Sequence, residues 1–137
     1  MPVLNPCNIA EVIEFGLYGW ALSRFSGNWV GLKAISETIE SGSTVDLDRL
    51  TTRFDPPLDH VIPAGVLHYR WPALPSLVIE ERLMHKLDAV RAFARSASID
   101  KSIVAAPHAD IGIVTCGKAH LDLPEACRRL DLTLSGL

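Results

Sequence analysis

The first sustained pattern along the chain is helical. Asn8 is followed three residues later by Glu11, the spacing of an N-cap with a reciprocal carboxylate, and Pro6 lies just upstream. A helix is therefore predicted from residue 8 to about Phe25, closed by Gly27. Its apolar positions form two stripes. Ile9, Val12, Ile13, Gly16, Leu17, Trp20 and Ala21 recur at spacings of three and four, and Phe15, Tyr18, Leu22 and Phe25 make a second stripe on another side. Only a narrow polar face is left, and a helix of this kind calls for burial on two sides, between layers of its own fold or beneath another chain. Gly16 and Gly19 inside it each cost about 1 kcal/mol against Ala. Either a neighbouring backbone at close approach or a tightly packed core explains them.

The following segments are shorter. Trp29-Val30-Gly31-Leu32-Lys33 reads as a buried strand, although Val30, Ala34, Ile35, Thr38 and Ile39 also fit a helical spacing. Ser41-Gly42-Ser43 marks a turn, and Thr44-Val45-Asp46-Leu47-Asp48 alternates as a half-exposed strand does. Prolines at 56, 57, 63, 72 and 75 punctuate a connection over residues 54–76, irregular except for at most one short strand at 66–70. From Ser76 to Ala97 an amphipathic helix is predicted, with Ile79, Leu83, Leu87, Val90, Ala94 and Ala97 on one side. Glu80 and Glu81 near its start and Arg91 and Arg95 near its end suit the helix dipole, and Asp88 is placed to pair with Arg91. Beyond Pro107, Ile111–Thr115 has the look of a buried strand broken by Gly117. Asp122-x-Pro124-Glu125 should open a helix through Leu130, and Leu132-Thr133-Leu134 should begin another strand. The pattern thus opens a β-α-β unit and stops inside its second strand, so the chain reads as a piece of a larger α/β protein with mostly parallel strands.

Composition narrows the class. The 137 residues carry a formal charge of −3, with 48% hydrophobic and 21% charged residues, and the mean hydropathy is +0.21. That is too apolar for a disordered chain. The apolar run Phe15–Leu22 is far shorter than the roughly 18 to 20 residues needed to span a bilayer. Basic residues are scattered among acids, which argues against a nucleic-acid partner. The first of them is Arg24, so there is no charged leader region, and a cytoplasmic location is the expectation. Cys7, Cys116 and Cys127 are odd in number with no C-x-x-C pair, the signature of free, mostly buried thiols.

Candidate chemistry gathers at Thr115-Cys116-Gly117-Lys118, at the C-terminal end of the predicted strand. Backbone amides there, with Lys118, could hold a phosphate, but neither G-x-G-x-x-G nor G-x-x-x-x-G-K-[ST] is present, and a structural βα turn is the preferred reading. Cys116 and His120 have a metal-compatible spacing, yet two ligands make no site. As a nucleophile and base they lack a third, orienting group. His60, His68, His85 and His108 are isolated, and Asp46 with Asp48 has no Gly-x-Glu tail to complete a calcium loop. No catalytic, cofactor-binding or metal-binding residue is assigned from spacing.

Several blocks in order carry a family resemblance. They are Gly16-Leu17-Tyr18-Gly19-Trp20-Ala21-Leu22-Ser23-Arg24-Phe25-Ser26-Gly27, Trp29-Val30-Gly31-Leu32-Lys33, Glu37-Thr38-Ile39-Glu40-Ser41, Arg70-Trp71-Pro72, Ala92-Phe93-Ala94-Arg95 and Gly112-Ile113-Val114-Thr115-x-Gly117-Lys118-Ala119. Through them the chain resembles a central segment of the indolepyruvate ferredoxin oxidoreductases, within the thiamine-diphosphate-dependent 2-oxoacid:ferredoxin oxidoreductase family. The resemblance implies a three-layer α/β fragment. Residues 1–105 would be the C-terminal part of a thiamine-diphosphate-binding domain of the pyrimidine type, and residues 106–137 the first β-α-β of a transketolase C-terminal-like domain. It further implies a parent enzyme that oxidatively decarboxylates indolepyruvate or a related 2-oxoacid with coenzyme A and ferredoxin, using thiamine diphosphate, magnesium and iron–sulfur clusters.

The activating glutamate, the G-D-G type diphosphate motif and the cluster cysteines of that family have no counterpart in this sequence, so the isolated chain is expected to hold no cofactor and to be inactive. His120 stands where relatives tend to carry an aromatic residue. Expected partners are the other domains of the parent enzyme and a second copy through the apolar helix 8–25. The alternative is a free-standing α/β interaction or small-ligand module that works through loop 115–118 or assembles through that helix.

Overall fold

In the computed structural model, residues 1–63, 67–68, 76–105 and 111–133 are described. The chain is mixed helical with a short parallel sheet. Its elements are β1 (Val3–Leu4), α1 (Ile9–Ser26), β2 (Gly31–Leu32), α2 (Ser36–Ile39), a 3-10 turn at Leu47–Arg49, α3 (Val78–Ser96) and α4 (Lys118–Arg129). β1 and β2 pair in parallel, Val3 opposite Gly31 and Leu4 opposite Leu32, with α1 as the connection between them. A β-α-β unit is thus present at the N-terminal end, where β1 is too short to leave a hydrophobic period in the sequence.

α1 forms where the capping pattern places it. The Asn8 side chain accepts from the Glu11 amide at 2.9 Å. Glu11 reaches back and accepts from the amide of Cys7, one residue earlier than the expected reciprocal partner, at 2.8 Å. At the other end Gly27 takes φ +69°, a left-handed position, and its amide donates to the Ser23 carbonyl. A Cβ at Gly27 would lie 2.5 Å from the carbonyl oxygen of Leu67, so glycine is required both by conformation and by space. Ser26 and Ser23 then tie down the chain as it leaves: Ser26 Oγ donates to the Leu22 carbonyl and accepts from the Asn28 amide, and Ser23 Oγ donates to the Asn28 carbonyl.

The core lies between α1 and α3. Leu4, Tyr18, Leu22 and Phe93 are buried together, with Phe15, Phe25, Phe54 and Val90 packed against them. Tyr18 meets Phe54 edge-on at 5.1 Å and Phe93 at 5.4 Å, and Phe25 lies 5.6 Å from Phe93. One of the two apolar stripes of α1 is therefore covered by its own chain. α3 has the expected extent but a different buried edge. Ala89, Ala92 and Phe93 are buried while Leu83 and Ala94 are exposed, because the largest apolar side chain, Phe93, orients the helix toward α1.

Four strand expectations are corrected. The segment Trp29–Lys33 is reduced to two residues in β2, and Trp29, expected inside, is 85% exposed. Thr44–Asp48 does not form a strand; the Asp46 side chain accepts from the Asp48 amide and starts the 3-10 turn, a local hydrogen bond that outcompetes extended pairing. Ile111–Thr115 is neither in a ladder nor buried, with Val114 99% exposed, because no described strand lies beside it to satisfy its backbone. Leu132 does not open a strand either. Its amide closes α4 by donating to the Cys127 carbonyl across Asp131, which takes φ +53°, a six-to-one closure of the helix end. The expected strand at 66–70 falls mostly outside the described residues, and Leu67 and His68 form a bend. Residues 106–110 and 134–137 also lie outside them, and with them His108 and Leu134.

α4 starts earlier than expected, at Lys118, with Gly117 as its cap and Pro124 in its interior. Pro124 removes one intrahelical hydrogen bond, the one toward the His120 carbonyl. The Lys118–Asp122 pair one turn earlier keeps the first turn in register.

Candidate functional site

The loop at 115–118 enters α4 through a strained glycine. Gly117 has φ +58° and ψ −145°, and a Cβ there would come within 2.6 Å of the Asn5 side-chain oxygen. Asn5, which no sequence pattern singles out, also donates to Cys116 Sγ at 3.4 Å. The N-terminal segment and the loop 111 residues later are thereby held together.

The charged and nucleophilic groups of this loop are engaged elsewhere. Lys118 Nζ donates to both carboxylate oxygens of Asp122, at 2.6 and 2.8 Å, and this hydrogen bond holds the ammonium above its usual range. The lysine thus points along the helix toward Asp122 rather than offering its charge to an anion at the loop. His120 Nδ1 lies 3.4 Å from Thr115 Oγ1, and no hydrogen bond joins it to Cys116 among the described residues. The nucleophile–base pairing considered for these two residues is not assembled.

The remaining candidates are also dispersed. Among the described residues no three His, Cys, Asp or Glu side chains come together as a metal-binding group. Cys7 and Cys127 are buried free thiols, whereas Cys116, expected inside with them, is exposed. Burial, reinforced by the hydrogen bond and charge of Glu11, pushes the Cys7 thiol up to about 12. It is a packing group, since the thiolate is the reactive form. Arg91 pairs with Asp88 at 3.0 Å as its spacing predicts. His60 stacks edge-on against Phe25, and the Arg82 guanidinium donates to the His68 carbonyl.

What the structure does expose is a cleft between α1 and β2. It encloses about 350 Å³ and is bordered by Gly16, Gly19, Trp20, Trp29, Val30 and Leu32. Gly19 fits the packed-core explanation rather than the approach of a backbone: a Cβ there would meet the side chains of Leu4, at Cδ1 3.2 Å away, and Val30, at Cγ1 3.3 Å away. Gly16 does not, for nothing lies within 4 Å of the place its Cβ would take. Ile13, Leu17 and Trp20, on the first stripe of α1, are exposed, Trp20 by 66%. A second cleft of about 360 Å³ runs beside Glu14, Thr51, Arg53, Phe54 and Lys101. Its polar groups are in part internally matched, Glu14 accepting from the Thr51 amide and Arg53 pairing with Asp55.

No helix among the described residues is long and apolar enough to cross a membrane. Compared with models of protein families, with curated proteins and with solved structures, the chain matches none.

Proposed function

We propose that the chain is a structural segment of a cytoplasmic oxidoreductase that oxidatively decarboxylates indolepyruvate or a related 2-oxoacid with coenzyme A and ferredoxin. The reading comes from the ordered resemblance blocks, above all Gly16–Gly27. It is supported by one observation in particular: that block lies in a capped helix with one stripe packed on α3 and the other exposed at Ile13, Leu17 and Trp20. A segment whose second face belongs against further protein has this distribution. In the same proposal residues 1–105 close a thiamine-diphosphate-binding domain and residues 106–137 open a transketolase C-terminal-like one, within a three-layer α/β arrangement.

Thiamine diphosphate, magnesium and the iron–sulfur clusters are assigned in this proposal to the parent enzyme and none of them to this chain. Among the described residues no carboxylate, histidine and thiol set converges, and Lys118 is held by Asp122. No reaction step is derived through these groups in this chain; its part is to pack against the domains that hold them.

The test is a viologen-reduction assay with indolepyruvate and coenzyme A. The native polypeptide, captured from its source cells with an antibody to residues 10–40, is expected to reduce the dye, and the 137-residue chain alone is not. No 2-oxoacid-dependent reduction by the captured native protein would contradict the proposal.

A further inference from the structure

The second cleft, of about 360 Å³, is walled by three separate stretches of chain: Glu14 and Phe15 of α1, residues 51–55, and the segment 96–101 that leaves α3. Its size is at the lower end for a small-molecule site. The apolar part of its lining is held in place. Phe15, Phe54 and Ile99 all pack against the core, and Phe54 is fixed edge-on against buried Tyr18 with 5.1 Å between ring centroids.

The charges of the lining are balanced and only partly matched. They are two cations, Arg53 and Lys101, and two carboxylates, Glu14 and Asp55. Glu14 accepts from the Thr51 amide through Oε1 alone, at 3.1 Å, and Arg53 donates to Asp55 through Nε alone, at 2.9 Å. Among the described residues Glu14 Oε2, both Nη groups of Arg53 and the Lys101 ammonium make no hydrogen bond or ion pair. Ser96 and Ala97 add the C-terminal end of α3, whose partial negative charge favours a cation.

A phosphate or a dicarboxylate would meet two carboxylates here, and a polyamine two cations. A small zwitterion with one charge of each sign suits the mixed lining. The guanidinium fork of Arg53 is the natural partner of a carboxylate, with Lys101 as a further donor, and Glu14 with the end of α3 suits an ammonium. The rest of such a molecule would lie on Phe15, Phe54 and Ile99, which take an apolar group.

We infer that this cleft binds a free α-amino acid with an apolar side chain, its carboxylate on Arg53 and Lys101, its ammonium on Glu14 and its side chain over Phe15 and Phe54. The inference rests on this cleft and not on the enzyme reading. Binding is measured on the chain alone and without turnover, so either can fail without the other.

An NMR titration of the backbone amides of the full chain with L-phenylalanine tests it. Three partial analogues each lack one element: phenethylamine the carboxylate, phenylpropanoate the ammonium and glycine the side chain. Glu14→Gln and Arg53→Ala are the variants. Gln keeps an acceptor for the Thr51 amide and the Arg53 side chain is 85% exposed, so neither change disturbs the core. The expected result is saturable binding that shifts the Thr51, Ile99 and Lys101 amides. It should weaken at least about tenfold for each analogue and in each variant, with the spectrum elsewhere unchanged. No saturation by phenylalanine up to about 10 mM would overturn the inference. So would an analogue that binds as tightly, shifts confined to another part of the chain, or a folded variant with wild-type affinity.

Discussion

Tyr18 of α1 stands edge-on to Phe93 of α3, their ring centroids 5.4 Å apart and their planes inclined by 68°. Both are almost wholly buried, and among the described residues α1 and α3 pack against each other. Aromatic pairs in this geometry add to the stabilisation from burial alone. Burial, with the charge of Asp100, also raises the Tyr18 phenol above its usual range. Phe93→Ala is expected to destabilise the chain by about 3–5 kcal/mol, the range for truncating a buried aromatic. Urea unfolding followed by helix signal measures it. A loss under about 1 kcal/mol would mean that α1 and α3 are not held together through this residue.

The helix caps give a second, smaller scale. Asn8→Ala removes the acceptor for the Glu11 amide and is expected to cost about 1 kcal/mol. Gly27→Ala should cost more than that, because φ +69° disfavours a side chain and the new Cβ would press on the Leu67 carbonyl. Gly16→Ala is the opposite case. With nothing within 4 Å it should stabilise α1 by up to about 1 kcal/mol in the isolated chain. Thermal or urea unfolding should find Gly27→Ala the least stable of the three, Asn8→Ala next, and Gly16→Ala at or above wild type.

The thiols should separate by reactivity and by pH. Cys116 is exposed and Cys7 and Cys127 are buried, so under native conditions one equivalent of a maleimide is expected to react rapidly, at Cys116. Peptide mapping identifies the site, and fast native labelling of Cys7 would contradict the packing described.

Cys7 also links stability to alkaline pH. Its folded pKa is about 12 against an ordinary 9.0, so between these values the unfolded chain gives up a proton that the folded chain retains. Stability from this residue is full below pH 9 and falls as pH rises, by up to about 1.4 kcal/mol per unit. Urea unfolding at pH 8 and pH 10.5, compared with Cys7→Ala, isolates the effect. Equal pH dependence in the two proteins would show that Cys7 contributes none of it.

Features encoded within one or two turns were legible in the sequence, and those that depend on distant partners were not. The Asn8–Glu11 cap, the Gly27 stop and the Asp88–Arg91 pair are local, and each appears as its spacing requires. The run Ile111–Thr115 has the composition of a buried strand, but composition cannot supply a neighbour, and it lies exposed. The first turn of α4 was hidden because Asp122 reads as a cap before Pro124, whereas it serves as the acceptor for Lys118. Asn5 at the Gly117 turn had no signal at all, since a contact over 111 residues leaves no period behind. The cleft at Gly16 was half visible. Two apolar stripes announced a second buried face, and the structure adds that the chain's own packing covers only one of them.

The most direct test of the proposed function is the mass of the native polypeptide that an antibody to residues 10–40 detects in the source cell. A band several times the 15.0 kDa of this chain is the result expected if these residues are a segment of a large 2-oxoacid:ferredoxin oxidoreductase. A band at 15.0 kDa would contradict it, and would leave the bare Trp20–Trp29 face as the working surface of a small protein in its own right.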